Sequence, residues 1–161
     1  MRTSDFAARY KRLPLEWARR TSLEDGAEVS VSLSMNADRN RLFQALTFPE
    51  YIDTWFVAPD ATPGTTAVTK GANCFVVSYR SLDGSDKRFV GSYKVFRRGK
   101  VQFAWRQHAY GETSSSLVRI RLDGNFERTT VHLTHLGIAQ EEQSHYSVLW
   151  QASLERLASL F

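Results

Sequence analysis

CFVVSYRSLDGSDKRFVGSYKVFRRGKVQFAWRQ, residues 74–107, reads as three strands joined by two tight turns. Strands are expected at 74–80, 88–97 and 100–107, with Asp83-Gly84 and Arg98-Gly99 between them, and Asp-Gly is a strong hairpin signal. Val101, Phe103 and Trp105 fall on one face of the third strand. Two further strands follow at 115–122 and 129–136, separated by Asp123-Gly124-Asn125. Val118, Ile120 and Leu122 share the inner face with Val131 and Leu133, while Arg119 and Arg121 point to water. Successive hairpins without helices between them imply an antiparallel meander.

After the meander the period changes to that of a helix, from about Glu142 to Leu160. At about 100° per residue, Tyr146, Leu149, Trp150, Leu154, Leu157, Leu160 and Phe161 fall within an arc of roughly 140°. Ser147, Gln151, Glu155 and Ser159 occupy the other side. Before the meander, Val29, Val31, Leu33 and Met35 alternate with Ser30, Ser32 and Ser34, the pattern of a half-buried strand. Asp38 should cap a short helix over Arg39–Leu46, and Phe48-Pro49-Glu50 opens a second that ends near Trp55-Phe56. Residues 57–72, rich in Ala, Thr, Pro and Gly, read as a surface loop.

The order is therefore strand, two short helices, about five strands and a long helix. That is the α+β class, with a curved antiparallel sheet of about six strands gripping the C-terminal helix. Residues 27–161 form this domain, and residues 1–26 form an N-terminal extension. The formal charge of +4 resides in that extension, because residues 1–20 hold six basic and two acidic residues and the remainder holds fifteen of each. With the domain neutral and no recognition motif present, nucleic acid is not an expected partner. Phe6, Tyr10, Leu13 and Trp17 form a helical stripe suited to docking on the domain or on a second subunit, and Pro14 should break or kink that helix. A homodimer through this extension is one expectation, and a targeting or membrane-surface segment is the alternative. No run approaches the roughly 18 apolar residues of a membrane span, and no secretory signal pattern precedes the domain, so cytoplasmic residence is expected.

Cys74 is the single cysteine, which excludes an internal disulfide and a cysteine zinc site. Next to Phe75-Val76-Val77 it is expected as a strand-buried thiol rather than a nucleophile. His132 and His135, three apart on one strand, point to opposite faces and cannot jointly hold a metal. His135 shares the parity of Leu133 and is expected to point inward, where an acid/base role competes with a structural one. His108, His145, Glu50, Asp53 and Glu112 show no convincing pairing. No phosphate loop, nucleophile elbow, metal motif or cofactor signature is present.

Three stretches carry a resemblance to a known family. They are Arg41–Glu50 running on to Trp55-Phe56, Gly91–Val95 followed by Val101–Trp105, and Thr130–Gly137 followed by His145–Trp150, Leu154 and Leu157. The chain resembles the domain shared by the activator of the heat-shock-protein-ninety ATPase and its bacterial homologues. That family lies within the helix-grip superfamily, with the birch pollen allergen, START lipid-transfer domains and polyketide cyclases. The resemblance covers residues 27–160 and implies the fold more strongly than an activity. Two departures stand out. Leu149 occupies a position where relatives have glycine, so its side chain either fills part of the pocket or changes how the helix sits. Phe48 precedes Pro49 where an acidic residue is usual.

The leading functional expectation is binding of an apolar, aromatic or lipid-like small molecule between the sheet and the last helix. Candidate lining residues are Trp55, Phe56, Tyr79, Tyr93, Phe103, Trp105, His135, Tyr146, Trp150 and Leu154. The competing expectation is that these residues form a packed core. The tyrosines are the most informative, since a buried hydroxyl needs a partner. Two other classes remain open, a chaperone-regulating protein-interaction domain and a cyclase-like or hydrolase-like enzyme using the same cavity. In the eukaryotic activator the resemblance implies reliance on a separate N-terminal domain, and a 26-residue extension is too short to be one.

Overall fold

Ala27, Val29, Val31 and Met35 are buried while Glu28, Ser30, Ser32 and Ser34 face water, in a computed structural model that describes residues 26–97, 99–107 and 115–161. This alternation builds strand β1, Ala27–Met35. Asp38 then caps helix α1, Arg39–Thr47, by accepting the Arg41 backbone N–H at 2.8 Å. Pro49 opens helix α2, Pro49–Trp55, where its missing N–H costs nothing. The Trp55 indole N–H donates to the Ala45 carbonyl at 2.8 Å and ties the two short helices together.

Six strands follow in hairpin succession: β2 (Ala67–Gly71), β3 (Cys74–Arg80), β4 (Asp86–Arg97), β5 (Lys100–Gln107), β6 (Ser116–Gly124) and β7 (Thr129–Ile138). The sheet is antiparallel throughout, in the order β1-β7-β6-β5-β4-β3-β2. Strands β1 and β2 are neighbours in sequence and opposite edges in space, so α1 and α2 carry the chain across the sheet. A 3₁₀ turn, Gln140–Glu142, leads into helix α3, Gln143–Ser159. Tyr146, Leu149, Trp150, Ser153, Leu154 and Leu157 form its buried face. Of the expected apolar arc, Leu160 departs, being 47% exposed just past the end of α3.

The loop expected over residues 57–72 contains β2, which raises the strand count among the described residues from about six to seven. This edge strand is largely exposed and, among the described residues, pairs with β3 alone, so it lacks the apolar alternation that marks the others. Its turn into β3 places Asn73 at φ 54, a conformation asparagine tolerates better than most residues. Cys74 is half-buried at the start of β3 rather than fully buried. The basic extension with Phe6, Tyr10, Leu13 and Trp17, its expected dimer role, and the residues His108 and Glu112 lie outside the described residues. Among the described residues no helix is long and apolar enough to cross a membrane.

Gly91 on β4 sits opposite Phe75 and Trp105 on the inner face. A Cβ there would overlap the Phe75 ring. That ring is held by Phe103, Tyr93 and Trp105 at centroid distances of 5.3, 5.6 and 6.3 Å, so it has little room to retreat. Gly91→Ala is therefore expected to destabilise the domain by about 1–3 kcal/mol through overpacking, exceeding the 0.5–1 kcal/mol that alanine gains over glycine in a strand. Urea midpoints measure it, and a variant as stable as the parent would show that the ring moves aside freely.

Candidate functional site

Inward positions on β5, β6 and β7 converge on α3, and their side chains decide what space is left. Trp105 stands at the centre. Its ring lies 5.1 Å from Phe89, 5.6 Å from Trp150, 6.0 Å from Phe56 and 6.2 Å from Phe103, all measured between centroids. Trp55, Phe56, Tyr79, Phe103, Trp150 and Leu154 are each at most 5% exposed and belong to one continuous core. Leu149 is fully buried in the same cluster. Most of the space beneath the helix is thus side chain.

Among the described residues, one end of the grip borders open space. A cavity of about 300 Å³ lies where β5 and β7 end and β6 and α3 begin, lined by Trp105, Gln107, Ser115, Ser116, Gly137, Ile138, Ala139, Glu141, Glu142 and Tyr146. A bulge shapes its rim: Ala27 pairs with Ile138 and Glu28 with Leu136, leaving Gly137 unpaired at φ 78. Of the ten residues expected to line a pocket, Trp105 and Tyr146 reach this cavity directly. His135 reaches it through Ser116.

A hydrogen-bonded chain backs the cavity. Trp150 Nε1 donates to His135 Nδ1 at 2.9 Å, and His135 Nε2 lies 2.7 Å from Ser116 Oγ. An indole nitrogen only donates, so Nδ1 must be the acceptor, and the proton of the neutral imidazole sits on Nε2 and is donated to Ser116. Burial pushes the His135 pKa down to about 3, which keeps the ring neutral. This tautomer opposes a serine nucleophile, because a general base would have to take the Ser116 proton at a nitrogen that already carries one. The imidazole instead braces the sheet against α3.

The three tyrosines divide according to their partners. Tyr79 donates to Asp60 Oδ1 at 2.9 Å, and Lys87 approaches the other carboxylate oxygen at 3.8 Å. Tyr93 donates to the carbonyls of Leu46 and Thr47, at 3.2 and 3.3 Å, joining β4 to the end of α1. Tyr146 accepts from Trp105 Nε1 at 3.1 Å. Burial raises all three phenol pKa values, with the Asp60 hydrogen bond adding to the rise at Tyr79. His132, on the other face of β7, meets Ser32 at 2.9 Å and Asp123 at 3.3 Å. Among the described residues no group of three or more His, Cys, Asp or Glu side chains could hold a metal ion.

Sequence reasoning missed Ser116, Gln107, Ser115 and the rim residues 137–142. Ser116 carried a usable signal, since it shares the inward parity of Val118, Ile120 and Leu122 and is a polar residue on an apolar stripe. The rim carried none, because the register shift opposite Gly137 interrupts the alternation of β7 without a mark in its pattern of apolar residues.

Residues 36–161 match the family described as Activator of Hsp90 ATPase homolog 1-like protein. The comparison with curated proteins returns no match. Among solved structures, a protein of Chromobacterium violaceum superposes with a TM-score of 0.70 at 16% identity, over 83% of this chain and 95% of that one. The AHSA1 protein of Silicibacter pomeroyi gives 0.65 at 16% identity, over 83% and 96%. The Aha1 dimer of Colwellia psychrerythraea gives 0.60 at 16% identity, over 82% and 93%. These similarities concern the fold.

Proposed function

The chain belongs to the Activator of Hsp90 ATPase homolog 1-like family, with the helix-grip fold, and from that premise we propose that it binds a small, mainly apolar molecule at the open end of the grip. One observation carries this reading: the cavity of about 300 Å³, where Trp105, Ile138 and Tyr146 stand beside Gln107, Ser115, Ser116, Glu141 and Glu142, with the Ser116–His135–Trp150 chain behind it. Ligand pockets begin at about this volume. The site is smaller and nearer the end of the sheet than the aromatic sequence pattern suggests. Its occupant enters beside α3 rather than lying along the helix.

Ser115 is exposed at the mouth and away from the packed core, so Ser115→Trp places bulk in the entrance. Nile red, a neutral environment-sensitive dye, is expected to bind the parent with increased emission and to lose at least tenfold in affinity for this variant. Equal binding to both, or to neither, would remove the cavity as the site.

A second reading, a regulatory domain that docks on another protein, draws on the outer face of the sheet. Lys100, Gln102, Arg119, Arg121, His132 and Thr134 line a shallow groove of about 490 Å³ there. Arg121 and His132 share Asp123, but among the described residues no carboxylate pairs with Lys100 or Arg119. An acidic partner surface would complement this face.

A further inference from the structure

The role of a hydroxyl depends on what already occupies its oxygen. Trp105 Nε1–H points at the Tyr146 oxygen, and an indole can only donate. The phenol is therefore an acceptor toward Trp105, and its own proton turns elsewhere. Among the described residues none accepts that proton, although Tyr146 is only 4% exposed and lines the cavity. A buried hydroxyl normally finds a partner for its proton. Tyr79, as deeply buried as Tyr146, and the half-buried Tyr93 do find theirs in Asp60 and in the carbonyls of α1.

Ser116 stands on the same cavity wall with the same polarity. Its oxygen accepts from His135, and its proton reaches the Trp105 carbonyl at 3.3 Å. That is long for a hydroxyl hydrogen bond, so a closer acceptor in the cavity can recruit it. Both hydroxyls are thus set as donors by buried nitrogens behind them. A ligand that fits must present an acceptor. A protonated amine offers only donors. A carboxylate would accept, but Glu141 and Glu142 at the rim repel an anion entering the cavity. A neutral carbonyl meets both conditions.

Resting on the reading of this cavity as a binding site, we propose that it recognises a neutral, mainly apolar molecule through one carbonyl oxygen, which accepts the Tyr146 hydroxyl proton. The ligand class is an aryl or alicyclic ketone, amide or lactone small enough for the cavity. Trp105 acts here as a positioning residue, fixing the direction in which Tyr146 donates.

Fluorenone and fluorene, near-identical in shape and differing by the carbonyl, provide the probe pair, with affinities read by displacement of Nile red. Fluorenone is expected to bind roughly tenfold more tightly, the worth of one hydrogen bond. In Tyr146→Phe the preference for fluorenone over fluorene should shrink to within about twofold. Circular dichroism establishes that this variant is folded, because it also removes the acceptor of the Trp105 N–H. If it does not fold, the preference measured on the parent protein still decides. Equal binding of the two compounds would overturn the carbonyl proposal and leave the cavity reading standing. A preference that survives Tyr146→Phe would overturn the role of Tyr146. Binding of neither compound would overturn both.

Discussion

Trp105→Ala is expected to destabilise the domain by about 3–5 kcal/mol, the usual cost of emptying a large aromatic site in a core. Native domains have only about 5–15 kcal/mol in total, so this one change removes a large share. The reason is the position of the ring. It touches side chains from β3, β4, β5, β7 and α3, and Phe56 just after α2, and it is 2% exposed. Few of these neighbours can collapse into the gap, because each is fixed by others. Phe75 is held by Phe103 and Tyr93, and Trp150 is tied to His135. Trp105→Phe should cost far less, since it keeps most of the packing and loses the N–H donated to Tyr146. Urea denaturation of the three proteins measures both. A Trp105→Ala cost below 1 kcal/mol would mean that the aromatic cluster is loosely packed.

Acid is expected to act through His135. In the unfolded chain this histidine has its ordinary pKa near 6.5, and in the fold burial holds it down to about 3. Between those values the unfolded state binds one proton and the folded state none. Unfolding is thus favoured as pH falls, by about 1.4 kcal/mol per pH unit. The contribution is fully present above pH 6.5 and is lost progressively toward pH 3. From pH 7 to pH 4.5 the loss amounts to about 2.5 kcal/mol from this residue alone. Protonation is opposed geometrically as well, since a proton on Nδ1 would face the Trp150 N–H. Carboxylates elsewhere also titrate in this range, so the comparison is with His135→Gln. The glutamine amide keeps a donor and an acceptor and does not titrate. The parent should lose about 2.5 kcal/mol more than this variant between the two pH values. An identical loss in both would show that His135 does not carry the acid sensitivity.

How much of this was legible before folding varies with the kind of interaction. Strands β1, β5, β6 and β7 follow directly from period-two alternation, β3 and β4 from the glycine-bearing turns that bound them, and α3 from its apolar arc. Asp38 as a cap and Pro49 as a helix opener were readable from residue type, because a single side chain satisfies or removes a single backbone group. The inward position of His135 followed from strand parity alone. Strand β2 was not readable, since an edge strand pairs through its backbone and leaves its side chains in water.

The site divides in the same way. That Trp105, Trp150, Tyr146 and His135 face the interior together was determined by the sequence, through the periods of β5, β7 and α3. Which of them would interlock and which would border empty space was decided only in three dimensions. Phe56, Phe75 and Phe89 arrive at Trp105 from distant parts of the chain and fill the middle of the grip, and the Gly137 bulge lies on the rim of the cavity at its end. Periodicity encodes direction, not the volume left when several side chains meet. The polarity of the cavity was likewise a tertiary outcome. A tyrosine in sequence can donate or accept, and only the indole of Trp105 behind Tyr146 commits its proton to the open side.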